Sequence, residues 1–340
     1  MAAGEASTAA TMAADPTCPP FPLLEEDEEG HGEEKQQEVE VPYGGELELP
    51  TVDLEAPGEA LAAACRRLGA FRLANHGVPA ELSARLFAAA RDELGRASFE
   101  AKQARPGYFW GTPALSLRVR DVNWVEGFHL DLGRRPTADD PSSPPPFGGD
   151  LAREYGGHMA RVARALFDPL AAALGLDAGR AASYLAERDG TLRVYRYPPC
   201  PAPPFGRRRR RRPLGMEAHT DSSVLSIINQ DDVGGLQVLH GGAWRGVAPA
   251  PGTLLVNLGD MARAISGDAF ASVRHRVAAA GAGAGRLSLC YFAFPRDDAV
   301  LSRDGSRYRP FTYAEFREQV QADIKALGSK VGLDRFLLRH

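Results

Sequence analysis

From Thr191 onward the chain breaks into short runs of strand character: LRVYRY, SVLSIIN, LQVL, TLLVNLG, SVRHRVA and RLSLCYFAF. Glycine- and proline-rich turns separate them. Short strands at this spacing favour a jelly roll or another closed antiparallel architecture, because closure removes the sheet edges that would otherwise be exposed. Upstream the periodicity is helical. EAPGEALAAACRRLGAFRLANHG reads as a helix, with Leu61, Ala62, Cys65, Leu68 and Phe71 near helical spacing, stopped at Gly69 and followed by a strand. PAELSARLFAAARDELG reads as an amphipathic helix, and GDLAREYGGHMARVARALFDPLAAALGL as a long helical segment across the outside of the core. YRPFTYAEFREQVQADIKALG reads as a final helix, capped by Thr312 with Glu315 completing a capping box. The expected fold class is therefore a mostly β core with flanking helices.

Within the strand region, His219-Thr220-Asp221 is followed by a distant His275. Residues i and i+2 of a strand share a face, so His219 and Asp221 can reach one ion. Two imidazoles and one carboxylate form a facial triad, which leaves three positions open on an octahedral ion and suits non-haem Fe(II). Arg286-Leu287-Ser288 follows shortly after, with Arg286 and Ser288 on one strand face. A guanidinium fork beside a hydroxyl is a receptor for a carboxylate. The pairing suggests a small diacid held by the metal at one end and by Arg286 at the other. A zinc hydrolase with the same three ligands, or a binding protein that keeps the fold, is the competing reading. Neither explains Arg286 and Ser288 as well. Asp260 and Asp268 read as turn or cap residues, and Glu217 as a neighbour of the triad or a strand-end carboxylate.

The segments HTDSSVLSIINQDDVGGLQV, GTLLVNLGDM, SVRHRV and RLSLCYFAFP closely resemble the plant 2-oxoglutarate and Fe(II)-dependent dioxygenases. RVYRYPPC, LPTVDL and GAFRLANHGVP extend the likeness from about Leu49 to Leu338. The resemblance implies a double-stranded β-helix with a helical N-terminal part. It implies Fe(II) on His219, Asp221 and His275, and 2-oxoglutarate on Arg286, Ser288 and Tyr197, with O2 as oxidant and ascorbate in support. The family commonly has asparagine two positions before that tyrosine, where this chain has Tyr195. The metal strand and the tail are most similar to gibberellin oxidases, the tail to their 2-oxidase group, which implies hydroxylation of an apolar acid at the 2β position. Oxidation of another plant metabolite, such as a flavonoid, auxin or alkaloid, or of a gibberellin at another carbon, is the alternative. Trp124, Phe128, Tyr291 and Phe294 are candidate apolar walls, and Arg118 or Arg120 a candidate cation for the acid.

Residues 1–45 are rich in alanine and then in acidic side chains, with little to bury, and are expected to be a disordered leader. The chain then divides into a mixed helical region (46–188), the dioxygenase core (189–300) and a C-terminal helical segment (301–340). The formal net charge is −4, which excludes a wholly basic nucleic-acid binder. Arg207 to Arg212 form a six-arginine run with no interleaved aromatic residue, read as a solvated insertion in preference to a nuclear signal. Cys18, Cys65, Cys200 and Cys290 form no paired motif, no apolar run is long enough for a membrane span, and the acidic head is unlike a targeting peptide. A cytosolic monomer acting on a small molecule is the expectation.

Overall fold

The computed structural model describes residues 15–21, 41–111, 123–133, 146–186, 190–200, 214–281 and 285–338. Arg118, Arg120, Arg207–Arg212 and most of the leader lie outside the described residues. One sheet has five strands, in the order β1 (Tyr43–Glu46), β10 (Ala243–Gly246), β9 (Leu236–His240), β12 (His275–Ala278) and β7 (Leu214–His219). The other has eight: β2 (Thr51–Asp53), β3 (Ala70–Ala74), β11 (Leu254–Leu258), β8 (Leu225–Gln230), β13 (Arg286–Ala293), β6 (Thr191–Tyr197), β5 (Glu126–Asp131) and β4 (Tyr108–Trp110). A small ladder pairs β14 (Val300–Leu301) with β15 (Phe311–Thr312).

From β6 to β13 the chain passes repeatedly between the two sheets, and the pairings among these strands are antiparallel. This is the double-stranded β-helix. Buried Leu236, Val238 and Val277 of the smaller sheet pack with Ile228, Leu255 and Cys290 of the larger. The opposite face of the larger sheet is covered by helices α1 (Gly58–Arg67), α2 (Ala80–Arg96) and α4 (Asp150–Ala173), and two short helices, α3 (Phe99–Gln103) and α5 (Ala178–Tyr184), lie between and after them in the chain. Period-two alternation assigns each strand residue to one face or the other. Along β13, Leu287, Leu289 and Tyr291 join the helical core, whereas Arg286, Ser288, Cys290 and Phe292 line a cavity.

The predicted helix stop at Gly69 is present. Its φ is +70°, and a Cβ there would lie 2.0 Å from the Ala271 carbonyl oxygen, so only glycine fits the turn. The final helix α7 (Tyr313–Leu327) carries the full capping box of Thr312 and Glu315. Its end folds back through a 3-10 turn, Gly332–Phe336, whose Phe336 ring packs on Phe311 and Phe316. Among the described residues, no helix is long and apolar enough to cross a membrane.

The region before residue 188 and the core share one sheet, since β2 to β5 extend the larger sheet on both sides of the core strands. Residues 15–21, within the expected leader, pack against the fold. Phe99 N donates to the Pro16 carbonyl at 2.8 Å, Lys102 Nζ donates to the Thr17 carbonyl at 2.5 Å, and Phe21 stacks on Trp124 at 4.4 Å. The Lys102 ammonium is buried here because Glu126 answers it at 2.6 Å, and Glu126 is further held by Arg196 and Tyr108. Low hydrophobicity averaged over 45 residues concealed one apolar anchor, Phe21.

Candidate active site

β7 and β12 pair with His219 directly opposite His275, so the register itself brings the two imidazoles together, with ring centroids 4.4 Å apart. β7 ends at His219, and Asp221 lies in the turn that follows. That turn is fixed from outside the strand: Asp260 N donates to the Asp221 carbonyl at 2.8 Å. Asp221 Oδ1 stands 3.6 Å from His219 Nε2 and 3.8 Å from His275 Nε2. One ligand atom from each of the three residues lies within 4.8 Å of the others.

The donor set fits a divalent cation. Each Nδ1 is engaged by a backbone carbonyl, that of Glu217 at 2.8 Å for His219 and that of Val273 at 3.1 Å for His275. This places the Nδ1 proton there and leaves the Nε2 lone pairs facing Asp221. Asp221 Oδ2 is buried with no hydrogen-bond partner, a costly state that a bound cation would relieve. Burial raises the Asp221 carboxyl, but the His275 and His219 rings and the Ser226 hydroxyl outweigh it and hold it below the usual carboxylate range. Burial pushes His275 down to about 4, against the pull of Asp221, so its imidazole is neutral at pH 7.

One carboxylate absent from the sequence candidates supports the centre. Asp260, at the start of α6 (Asp260–Ser266), accepts from Thr220 Oγ1 at 3.2 Å and from Ser272 Oγ at 3.0 Å. Thr220 lies between two members of the triad, and Ser272 lies three residues before the third. Lys330 completes the junction, donating to Asp260 Oδ2 at 2.8 Å and to the Thr220 carbonyl at 2.5 Å. The turn-like NLGDM context gives no hint of this convergence, because the partners come from three distant segments.

On the larger sheet, Arg286 pairs in register with Tyr197, and Ser288 lies between Tyr195 and Gln230. Arg286 is buried, donates to Ser288 Oγ at 3.2 Å and to Gln230 Oε1 at 3.0 Å, and lies 4.8 Å from the centre of the Tyr197 ring. Arg286 Nε and Gln230 Nε2 are buried donors without partners. Unsatisfied donors around a guanidinium with no carboxylate partner among the described residues fit a small anion. Gln230 was invisible as a candidate because only strand register places it beside Ser288.

Triad and guanidinium share one cavity of about 1600 Å³. Phe294 lines it, stacked between Phe292 at 6.2 Å and Tyr313 at 5.6 Å. The other three aromatic candidates do not. Tyr291 and Phe128 are turned to the helical side, as alternation requires once Ser288 and Cys290 face inward and Phe128 pairs with Val194. Trp124 is buried beneath Phe21 and donates its indole N–H to the Pro198 carbonyl at 3.1 Å. Cys290 does line the cavity, but burial pushes its thiol up to about 12, which leaves it protonated and a poor nucleophile.

Residues 188–295 match the 2OG-Fe(II) oxygenase superfamily model. Gibberellin 2-beta-dioxygenase 8 from Arabidopsis thaliana is 34% identical over 313 residues, covering 86% of this chain and 88% of that protein. JOX2, solved in complex with 2OG, Fe and JA, superposes with a TM-score of 0.72 at 25% identity over 88% of this chain and 91% of its own. The rice dioxygenase for auxin oxidation superposes with a TM-score of 0.66 at 28% identity, covering 86% of this chain and all of that one. With iron and 2-oxoglutarate as its cofactors, the chain belongs to the 2OG-Fe(II) oxygenase superfamily and is a 2-oxoglutarate-dependent dioxygenase.

Proposed function

We propose that this dioxygenase hydroxylates a gibberellin at the 2β position. The observation that carries the reading is the 34% identity to a gibberellin 2-beta-dioxygenase, sustained over 86% of the chain. His219, Asp221 and His275 would hold Fe(II) through their imidazole nitrogens and the carboxylate. Arg286, Ser288 and Tyr197 hold the distal carboxylate of 2-oxoglutarate, with Gln230 Nε2 and Arg286 Nε as the donors still unspent. When bound, iron and 2-oxoglutarate supply the oxidising chemistry: O2 is consumed, 2-oxoglutarate leaves as succinate and CO2, and one oxygen atom enters the substrate. The chain's own part is positioning. The Nδ1 hydrogen bonds of His219 and His275 fix ring orientation and tautomer, and Asp260 ties their two segments together. The Phe292, Phe294 and Tyr313 rings present an apolar wall that keeps water from the reacting carbon.

Mass spectrometry of C19 and C20 gibberellins after incubation with Fe(II) and 2-oxoglutarate tests the reading. One added oxygen, located at C2 by fragmentation, is the expected product. Succinate without any gibberellin product would refute it. The superposition on a rice auxin-oxidising dioxygenase favours a second reading, oxidation of auxin, and the same panel decides between them.

A further inference from the structure

The cations of this molecule divide by what answers them. At the cavity mouth, Arg296 pairs with Asp298 and Arg317 with Asp297. Lys330 pairs with Asp260, and Lys102 and Arg196 share Glu126. Two guanidiniums lining the cavity have no carboxylate within 4 Å among the described residues, Arg286 and Arg193. The first is the receptor for the co-substrate. The second serves nothing described so far.

Arg193 is partly buried on β6, opposite Cys290. Its Nε donates to His129 Nδ1 at 3.0 Å, its Nη1 to the Tyr195 hydroxyl at 3.3 Å, and its guanidinium lies 5.4 Å from the centre of the Phe292 ring. These partners are neutral, since burial pushes His129 down to about 4. Nη2 has no protein partner among the described residues. A partly buried guanidinium that lines the cavity among neutral neighbours keeps its charge and its Nη2 donor for an anion entering that cavity. That partner is not the 2-oxoglutarate carboxylate held at Arg286. Arg193 and Tyr197 are four residues apart, about 13 Å along the strand, and Tyr197 is the residue opposite Arg286. Tyr195 outweighs the opposing effect of burial and holds the guanidinium in its charged form, and Arg193 lines the same cavity as the metal triad.

We infer that Arg193, with the Tyr195 hydroxyl beside it, binds a carboxylate of the organic substrate and selects apolar acids over neutral or cationic compounds. The carboxylate accepts from Nη2 and Nη1. The apolar body then runs along Phe292, Phe294 and Tyr313, which begin at the ring beneath the guanidinium. This assignment rests on the hydroxylation reading above and narrows it. It also supplies, within the described residues, the cation that the sequence suggested at Arg118 or Arg120.

The test uses the full chain with Fe(II) and 2-oxoglutarate, and compares R193Q, R193K and the double variant R118A/R120A. The probes are a gibberellin and its methyl ester, and indole-3-acetic acid and its methyl ester. Turnover is followed by mass spectrometry, and anaerobic binding by ligand-observed NMR. The wild-type protein is expected to prefer an acid to its ester. R193Q should raise KM or Kd for that acid about ten- to a hundredfold, the range for a charged hydrogen bond, with ester and 2-oxoglutarate KM unchanged. R193K should recover part of the loss, since it keeps the charge without the fork. If R193Q does not fold, R193K carries the test alone through an intermediate shift confined to the acid. Indole acetate binding that depends on Arg193, with no gibberellin bound, would overturn the gibberellin reading and uphold this inference. A wild-type protein indifferent to esterification, or acid preference that survives in R193Q but disappears in R118A/R120A, would overturn the inference even if gibberellin is oxidised.

Discussion

The two ends of the cavity are built by different rules. At the metal and Arg286 end, every functional group sits on a core strand or on a turn tied to one, and strand register sets each approach: His219 opposite His275, Tyr197 opposite Arg286, Gln230 opposite Ser288. At the mouth, the walls come from α7, from the Pro295–Asp298 connection and from β4 and β5, the last two strands at one end of the larger sheet. The inner end is fixed by a hydrogen-bonded ladder that cannot move one residue without moving all. The mouth is fixed by side-chain packing, which tolerates exchange. Chemistry shared by a superfamily belongs on the first, and discrimination among substrates on the second and on Arg193, four residues along β6 from Tyr197.

The comparison breaks first at the triad. Replacing Asp221 by alanine removes a ligand and its charge, so metal binding by calorimetry and succinate formation should both fall by more than the roughly hundredfold that loss of a supporting hydrogen bond costs. EDTA treatment of the wild-type protein should reproduce that loss reversibly. Full turnover with normal iron content in D221A would remove the site assignment.

Arg286→Met is next. Two charged hydrogen-bond donors are lost from a buried site, and KM for 2-oxoglutarate should rise about a hundredfold, with the organic substrate's KM little changed. A rise in both would mean that the two ends are not independent.

Asp260→Asn sharpens the distinction within the inner end. The change keeps size but removes the charge that joins Thr220, Ser272 and Lys330. Fe(II) affinity should drop about ten- to a hundredfold while 2-oxoglutarate still binds at Arg286. Unchanged affinity would make Asp260 a simple helix-start residue after all.

Phe294→Ala should have the smallest effect. Losing one ring from a stacked wall should raise substrate KM by about tenfold or less and leave uncoupled 2-oxoglutarate turnover intact. A collapse of uncoupled turnover would show that the mouth supports the metal directly.

Where spacing alone made part of the site legible, the geometry is local, whereas His275 and Tyr197 entered through residue type and family likeness. His219 and Asp221 are two residues apart, and so are Arg286 and Ser288. Alternation on a strand says which residues travel together. It does not say which face is inward until a pairing partner is known, and Tyr291 and Phe128, expected in the apolar wall, lie on the helical side. Trp124 is covered by Phe21, about a hundred residues earlier. Gln230, Asp260, Lys330 and Arg193 went unread because each acquires its role from a partner in a distant segment.

The amino-acid sequence by itself determined the strand series, the helix stops and caps, the metal-binding residue types and the likeness to the dioxygenases. These depend on periodicity, on backbone preferences and on side-chain chemistry, all of which act over a few residues. Only the tertiary structure decided which strand face lines the cavity, that residues 15–21 dock against Phe99, Lys102 and Trp124, and which guanidiniums lack a carboxylate. The physical reason is that burial, register and charge pairing are properties of segments brought together by folding, and a side chain's partner is settled only when the second segment arrives.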